Sequence, residues 1–134
     1  MSYLNLNLDK EFWGKRIIIT GASNGLGAMA CKAFAERGAK IAMLSRSKKT
    51  MDKLKNKIAN PSNHISIKVD LLNNKKIIMA IKKAKKFLKR VDIVLHVAGG
   101  GFGLKEKLIE DKDLKMLFQI NVGAAAEINR LIVK

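Results

Sequence analysis

Short apolar runs alternate with longer segments whose apolar residues recur every three or four positions, and the alternation continues from Ile17 to the end of the 134-residue chain. This rhythm predicts strand–helix units on a parallel sheet covered on both faces. The first run, Ile17-Ile18-Ile19, is wholly β-branched, as a doubly covered strand requires. A glycine-rich turn follows, then a helical pattern from about Gly25 to Arg37 with Ala28, Cys31, Phe34 and Ala35 inward and Gly38 as its stop. Lys40 to Leu44 reads as the second strand. Lys48 to Ala59 reads as a helix carrying Met51, Leu54 and Ile58, halted by Asn60-Pro61. His64 to Val69 alternates as a third strand. Asn73 or Asn74 then caps a helix to about Lys89, with Ile77, Ile78, Ile81, Ala84, Phe87 and Leu88 as its apolar stripe. Val91 to Leu95 forms a fourth strand that enters a glycine-rich loop, whose glycines imply close backbone approach. A last helix is expected from Asp111 or Asp113 to Lys134.

The apolar content of 48% is enough for one compact domain across residues 1–134. The formal charge of +16 would attract any polyanion. Yet the lysines spread from Lys40 to Lys115 without interleaved aromatic residues, which fits solvated helix faces better than a nucleic-acid surface. The single cysteine, Cys31, lies in an apolar helical pattern and reads as a core residue rather than a nucleophile; it excludes an internal disulfide and makes a reducing compartment the default. The N-terminus carries Asp9 and Glu11 and no long apolar core, and no apolar stretch reaches the roughly 20 residues of a membrane span. A cytoplasmic protein without a membrane partner is expected, and no metal site.

The sharpest chemical signal is Thr20-Gly21-Ala22-Ser23-Asn24-Gly25-Leu26-Gly27, set between a buried strand and a helix. A phosphate needs backbone N–H groups aimed at it with no Cβ in the way, and a helix start supplies the donors and a favourable dipole. The spacing G-x-x-x-G-x-G departs from G-x-G-x-x-G, and no Gly-Lys-Ser/Thr follows as a nucleoside-triphosphatase loop would require. About twenty residues on, where an acidic side chain would bind the ribose hydroxyls of NAD, stand Ser45 and Arg46. A guanidinium pairs bidentately with a phosphate, so NADP(H) is favoured over NAD(H), unless Arg46 merely follows a strand on the surface.

The glycine stretch resembles the TGxxxGxG motif of the short-chain dehydrogenase/reductases, in the spacing of their single-domain members. Asp70-Leu71, Ala98-Gly99 and Asn121-Val122-Gly123 match further family positions in the same order, so the resemblance spans nearly the whole chain. It implies a Rossmann-like, doubly wound, three-layer α/β/α fold with strand order 3-2-1-4. It implies cofactor contacts at Gly21, Ser23, Asn24, Gly25, Leu26, Gly27, Ser45, Arg46, Asp70, Leu71, Ala98, Gly99 and Gly100. Asp70 would accept from the adenine amino group, with helix capping as its structural alternative. Asn121 matches the asparagine that bends the long helix and holds a water in a proton relay, and is the one catalytic-relay position here. His96 and Val97 stand where the family usually has two asparagines; His96 at a strand end reads as structural rather than as a base.

The relay's serine, tyrosine and lysine have no counterparts: the only tyrosine is Tyr3, ahead of the first strand, and no Tyr-x-x-x-Lys occurs. The chain is therefore expected to be the N-terminal, cofactor-binding portion of a longer carbonyl reductase or alcohol dehydrogenase, truncated before strand five. By itself it should be inactive, with an apolar edge at the fourth strand. The full-length parent would act on a small carbonyl or alcohol and form a homo-oligomer. A non-catalytic module that senses NADP is the first alternative. A basic nucleic-acid-binding protein, with affinity falling steeply in salt, is the remote one.

Overall fold

A computed structural model describes residues 10–105 and 108–133. The four expected strands form one parallel sheet: β1 (Arg16–Thr20), β2 (Lys40–Ser45), β3 (His64–Lys68) and β4 (Ile93–His96), in the order β3-β2-β1-β4. Ile18 pairs with Ala42 on one side and Val94 on the other. The helices are α1 (Gly25–Glu36), α2 (Lys48–Lys55), α3 (Asn74–Leu88), α4 (Asp111–Phe118) and α5 (Ala124–Val133).

Strand periodicity divides the apolar residues between two cores. Ile17, Ile19, Ile41 and Met43 pack on one face with Cys31 and Ala35 of α1 and Met51 of α2. Ile18, Ala42, Leu44 and Ile67 pack on the other with Ile77, Ala80, Ile81, Ala84 and Leu88 of α3 and Ala124 and Ile128 of α5. This is the three-layer Rossmann-like arrangement, and it explains why the strand sequences are apolar at consecutive positions. Ile17, Ile18 and Ile19 are fully buried, whereas Ile93, Val94 and Leu95 of β4 are half-buried, because β4 is the outer strand among the described residues.

Several boundaries differ from the sequence reading. β4 starts at Ile93 because Val91-Asp92 is used in joining the strands: the Asp92 carboxylate accepts from the Arg16 N–H at 2.9 Å and pairs with Arg90 at 2.9 Å. α2 ends at Lys55, and Lys57 and Ile58 both donate to the Leu54 carbonyl in tight turns that tuck Ile58 into the core. In α3 the inward stripe includes Ala80, while Ile78 is 44% exposed, because it lies about 100° around the helix from the line of Ile77, Ala84 and Leu88 on which the stripe centres. Asn73 caps α3, its side chain accepting from the Lys76 N–H at 3.1 Å. The last helix is interrupted around Asn121, the position that the family resemblance marks for a bend. Residues Gln119–Gly123 form a π-helical turn between α4 and α5.

His64 is 3% exposed at the start of β3. Its Nδ1 accepts from the Ile41 N–H at 3.2 Å, so Nε2 carries the proton and donates to the Ala59 carbonyl at 2.7 Å. Burial lowers its pKa against the raising effect of the Ala59 carbonyl, with Lys55 adding to the depression.

Candidate functional site

The chain reverses direction across the sheet between β1 and β4, and the crevice at the carboxyl ends of a parallel sheet lies at such a switch point. Here the three glycines of the turn serve different ends. Gly21 sits at φ +65°, and a Cβ there would lie 2.8 Å from the Ala98 nitrogen. Gly27 lets α1 pack onto the turn, since its Cβ would stand 2.1 Å from the Gly21 carbonyl oxygen. Gly25, at φ +50°, opens α1 with nothing within 4 Å of the position a Cβ would take. Asn24 precedes it in an extended conformation, and no side chain caps the helix or places an acid in its first turn. The first-turn N–H groups of α1 are thus left for an external acceptor.

A cleft of about 770 Å³ runs from this turn past the ends of β2 and β3 to the loop after β4. Eleven of the thirteen sequence-predicted contact positions line it: Gly21, Ser23, Asn24, Gly25, Leu26, Ser45, Arg46, Asp70, Leu71, Ala98 and Gly99. Gly27 is buried beneath, and Gly100 lies outside the lining. Sequence reasoning missed Val97, Phe102 and Ile120 on the same wall. Only the glycine loop around Phe102 hinted at them, and Ile120 comes from a distant segment that no local pattern places there. Of the loop glycines, Gly99 meets the close approach expected of it, since a Cβ there would stand 2.7 Å from the Asn121 Oδ1, while Gly100, Gly101 and Gly103 face open space.

Hydrogen-bonded polar groups hold the wall in place. The Thr20 hydroxyl, 2% exposed, accepts from the Val97 N–H at 3.1 Å and the Ala98 N–H at 3.2 Å, joining the end of β1 to the loop after β4. Asn121 lies in the π turn. Its Oδ1 accepts from the Gly100 N–H at 3.0 Å, and its Nδ2 donates to the Gly100 carbonyl at 3.0 Å and the Leu117 carbonyl at 2.9 Å. Both amide protons are therefore committed, leaving only the second lone pair of Oδ1 for a further partner. Gln119 donates from the same turn to the Leu71 carbonyl at 3.0 Å and the Asn74 Oδ1 at 2.9 Å, which ties the far side of the cleft to the start of α3. A π turn at this point aims Gln119 and Asn121 where a regular helix would not.

Asp70 is half-buried on the cleft wall and its Oδ1 accepts from the Leu72 N–H at 3.0 Å, so it shapes the loop into α3 while Asn73 does the capping. The His96 ring nitrogen Nε2 pairs with the Asn129 Oδ1 of α5 at 2.8 Å, outside the cleft lining. Cys31 is buried between α1 and the sheet, and desolvation pushes its thiol up to about 12, which removes it as a nucleophile. Tyr3 lies outside the described residues. Among those residues, no group of three His, Cys, Asp or Glu side chains could hold a metal ion, and no helix is long and apolar enough to cross a membrane.

A family model described as short chain dehydrogenase matches residues 15–134. A short chain dehydrogenase of Pseudocercospora fijiensis is 32% identical over 127 residues, covering 92% of this chain and 41% of the relative. Among solved structures, 7α-hydroxysteroid dehydrogenase complexed with NADH superposes with a TM-score of 0.85 at 24% identity, over 93% of this chain and 49% of that one. L-Sorbose reductase from Gluconobacter frateurii, complexed with NADPH and L-sorbose, gives 0.81 at 24% identity, over 93% and 48%. These likenesses establish the fold, and the chain spans about two fifths to one half the length of these three proteins.

Proposed function

This chain belongs to the short-chain dehydrogenases, and from that premise we propose that it forms the cofactor-binding portion of an NADP(H)-dependent reductase or dehydrogenase acting on a small carbonyl or alcohol. The observation that carries this reading is the cleft that joins the uncapped N-terminus of α1 to Arg46 and Asp70. Its donor set suits a dinucleotide. Free N–H groups and the positive end of α1 match a pyrophosphate, and the open space over Gly25 leaves room for it. Arg46 stands where a carboxylate would otherwise favour an unphosphorylated ribose, and Asp70 offers its second oxygen to an adenine amino group. Leu71, Ala98 and Gly99 supply apolar and backbone surface alongside.

When bound, the nicotinamide cofactor supplies the hydride chemistry. This chain's own residues bind and orient it. Thr20 and Asn121 fix the loop after β4, and Asn121 acts here as a positioning residue whose remaining Oδ1 lone pair can accept from a water. The 134 residues contain no Tyr-x-x-x-Lys, so proton transfer to substrate is not assigned to any of them. A cytoplasmic setting agrees with the single buried cysteine, and homo-oligomerisation is proposed for the full-length protein.

Calorimetric titration of the chain with NADP⁺ and NAD⁺ tests the reading. Saturable NADP⁺ binding, tighter than NAD⁺ and weakened roughly tenfold by Arg46→Ala, is expected. Equal affinity for both nucleotides in the unsubstituted chain would refute the preference, and binding of neither by the folded chain would refute the assignment of the cleft.

A further inference from the structure

Next to the main cleft lies a second hollow of about 480 Å³, lined by Arg46, Lys68, Val69, Asp70 and Lys76. Its three cations come from three separate elements. Arg46 follows β2, Lys68 is the last residue of β3 and lies in register beside Ser45, and Lys76 sits in the first turn of α3. None forms an ion pair with a described residue, in contrast to Lys48, Lys112 and Lys115, which each hold a carboxylate within 3 Å. The one carboxylate in the hollow, Asp70, already accepts from the Leu72 N–H.

The arrangement is electrostatically unfavourable when empty. Three like charges converge on one concavity, and Lys76 occupies the N-terminal turn of a 15-residue helix, where the dipole favours anions and where no acidic side chain is present. An anion in the hollow would relieve the mutual repulsion and the opposed dipole together. Arg46 also lines the main cleft, so the hollow continues the same groove.

We propose that Lys68 and Lys76 are specificity-determining residues that join Arg46 around the extra phosphate of a 2′-phosphorylated adenine nucleotide. This rests on the cofactor reading above and extends it: discrimination is shared among three cations on three elements, and Arg46 alone does not set it. A phosphomonoester with close to two negative charges suits such a set, since Arg offers a planar fork and the lysines offer point charges on flexible stems. Unphosphorylated ribose would leave the three cations only the Asp70 carboxylate as counter-charge.

The test uses 2′,5′-ADP and 5′-AMP as probes, titrated calorimetrically into the 134-residue chain and its Lys68→Gln, Lys76→Gln and doubly substituted variants at low and moderate salt. All the substituted side chains are exposed, and far-UV circular dichroism melts verify that the variants fold. Each single variant is expected to bind 2′,5′-ADP about 3- to 5-fold more weakly and the double variant about 10- to 20-fold, with 5′-AMP changed less than about twofold. The salt dependence for 2′,5′-ADP should flatten in the double variant. If the unsubstituted chain prefers 2′,5′-ADP and only Arg46→Ala abolishes the preference, the two lysines have no such role and this inference fails alone. If the unsubstituted chain binds both probes equally, or neither, the cofactor preference and the inference fail together.

Discussion

Replacing Thr20 by valine keeps the shape of the side chain and removes only the hydroxyl that accepts from two backbone N–H groups, those of Val97 and Ala98. Thr20 is 2% exposed, so no bulk water reaches the vacated position without opening the β1–β4 seam. An unsatisfied buried donor costs about 1–3 kcal/mol, and Val97 and Ala98 are half-buried, which places each near the low end of that range. Valine regains part of this through apolar burial. The expected net loss is about 1–2 kcal/mol, or roughly 3–10 °C in Tm for a chain of this size. Thr20→Ser keeps the acceptor and loses one methyl group, at a cost of about 0.5–1.5 kcal/mol. Urea unfolding followed by far-UV circular dichroism should therefore rank the unsubstituted chain above Thr20→Ser and Thr20→Ser above Thr20→Val. A valine variant as stable as the serine variant would show that the hydroxyl is not what closes the seam.

Gly27→Ala should destabilise by about 3 kcal/mol or more despite a gain in helix propensity of about 1 kcal/mol, because the new Cβ would meet the rigid Gly21 carbonyl. Gly101→Ala, with nothing within 4 Å, should change the same urea midpoint little, and equal losses at the two sites would contradict the packing account. His64 has a lowered folded-state pKa, so its contribution is fully present above the unfolded value near 6.5 and is lost as pH falls through the folded value. Unfolding midpoints should drop between pH 7.5 and 5.5 more in the unsubstituted chain than in His64→Gln; identical slopes would sink that assignment. Cys31, its thiol pushed up to about 12, should resist alkylation at pH 8 in the native state and react readily in urea, so fast native labelling would place it outside the core.

The chain's own pattern determined the four strands, the parallel α/β class, the turning of Cys31, Ala35 and Met51 inward from α1 and α2, and the phosphate-type turn. Each of these depends on local physics: β-branched runs, 3.6-residue spacing, a cap at Asn73 or Asn74, and glycines where a Cβ would collide or φ is positive. Eleven residues of the cleft were named through the family resemblance, whose motif positions sit at strand ends and their following turns, which a parallel order lines up along one edge. Tertiary structure decided the rest. Whether Ile78 or Ala80 faces the sheet depends on how α3 is rotated against a surface built from three strands, and one buried stripe cannot hold every apolar residue. The family resemblance marked Asn121 for a helix bend, but the π turn aims Gln119 at Leu71 and Asn121 at Gly100, partners 48 and 21 residues away that no local window of sequence names. The meeting of Arg46, Lys68 and Lys76 is of the same kind: three ordinary surface cations become one anion-seeking hollow only because the register of β2 against β3 and the start of α3 bring their elements together.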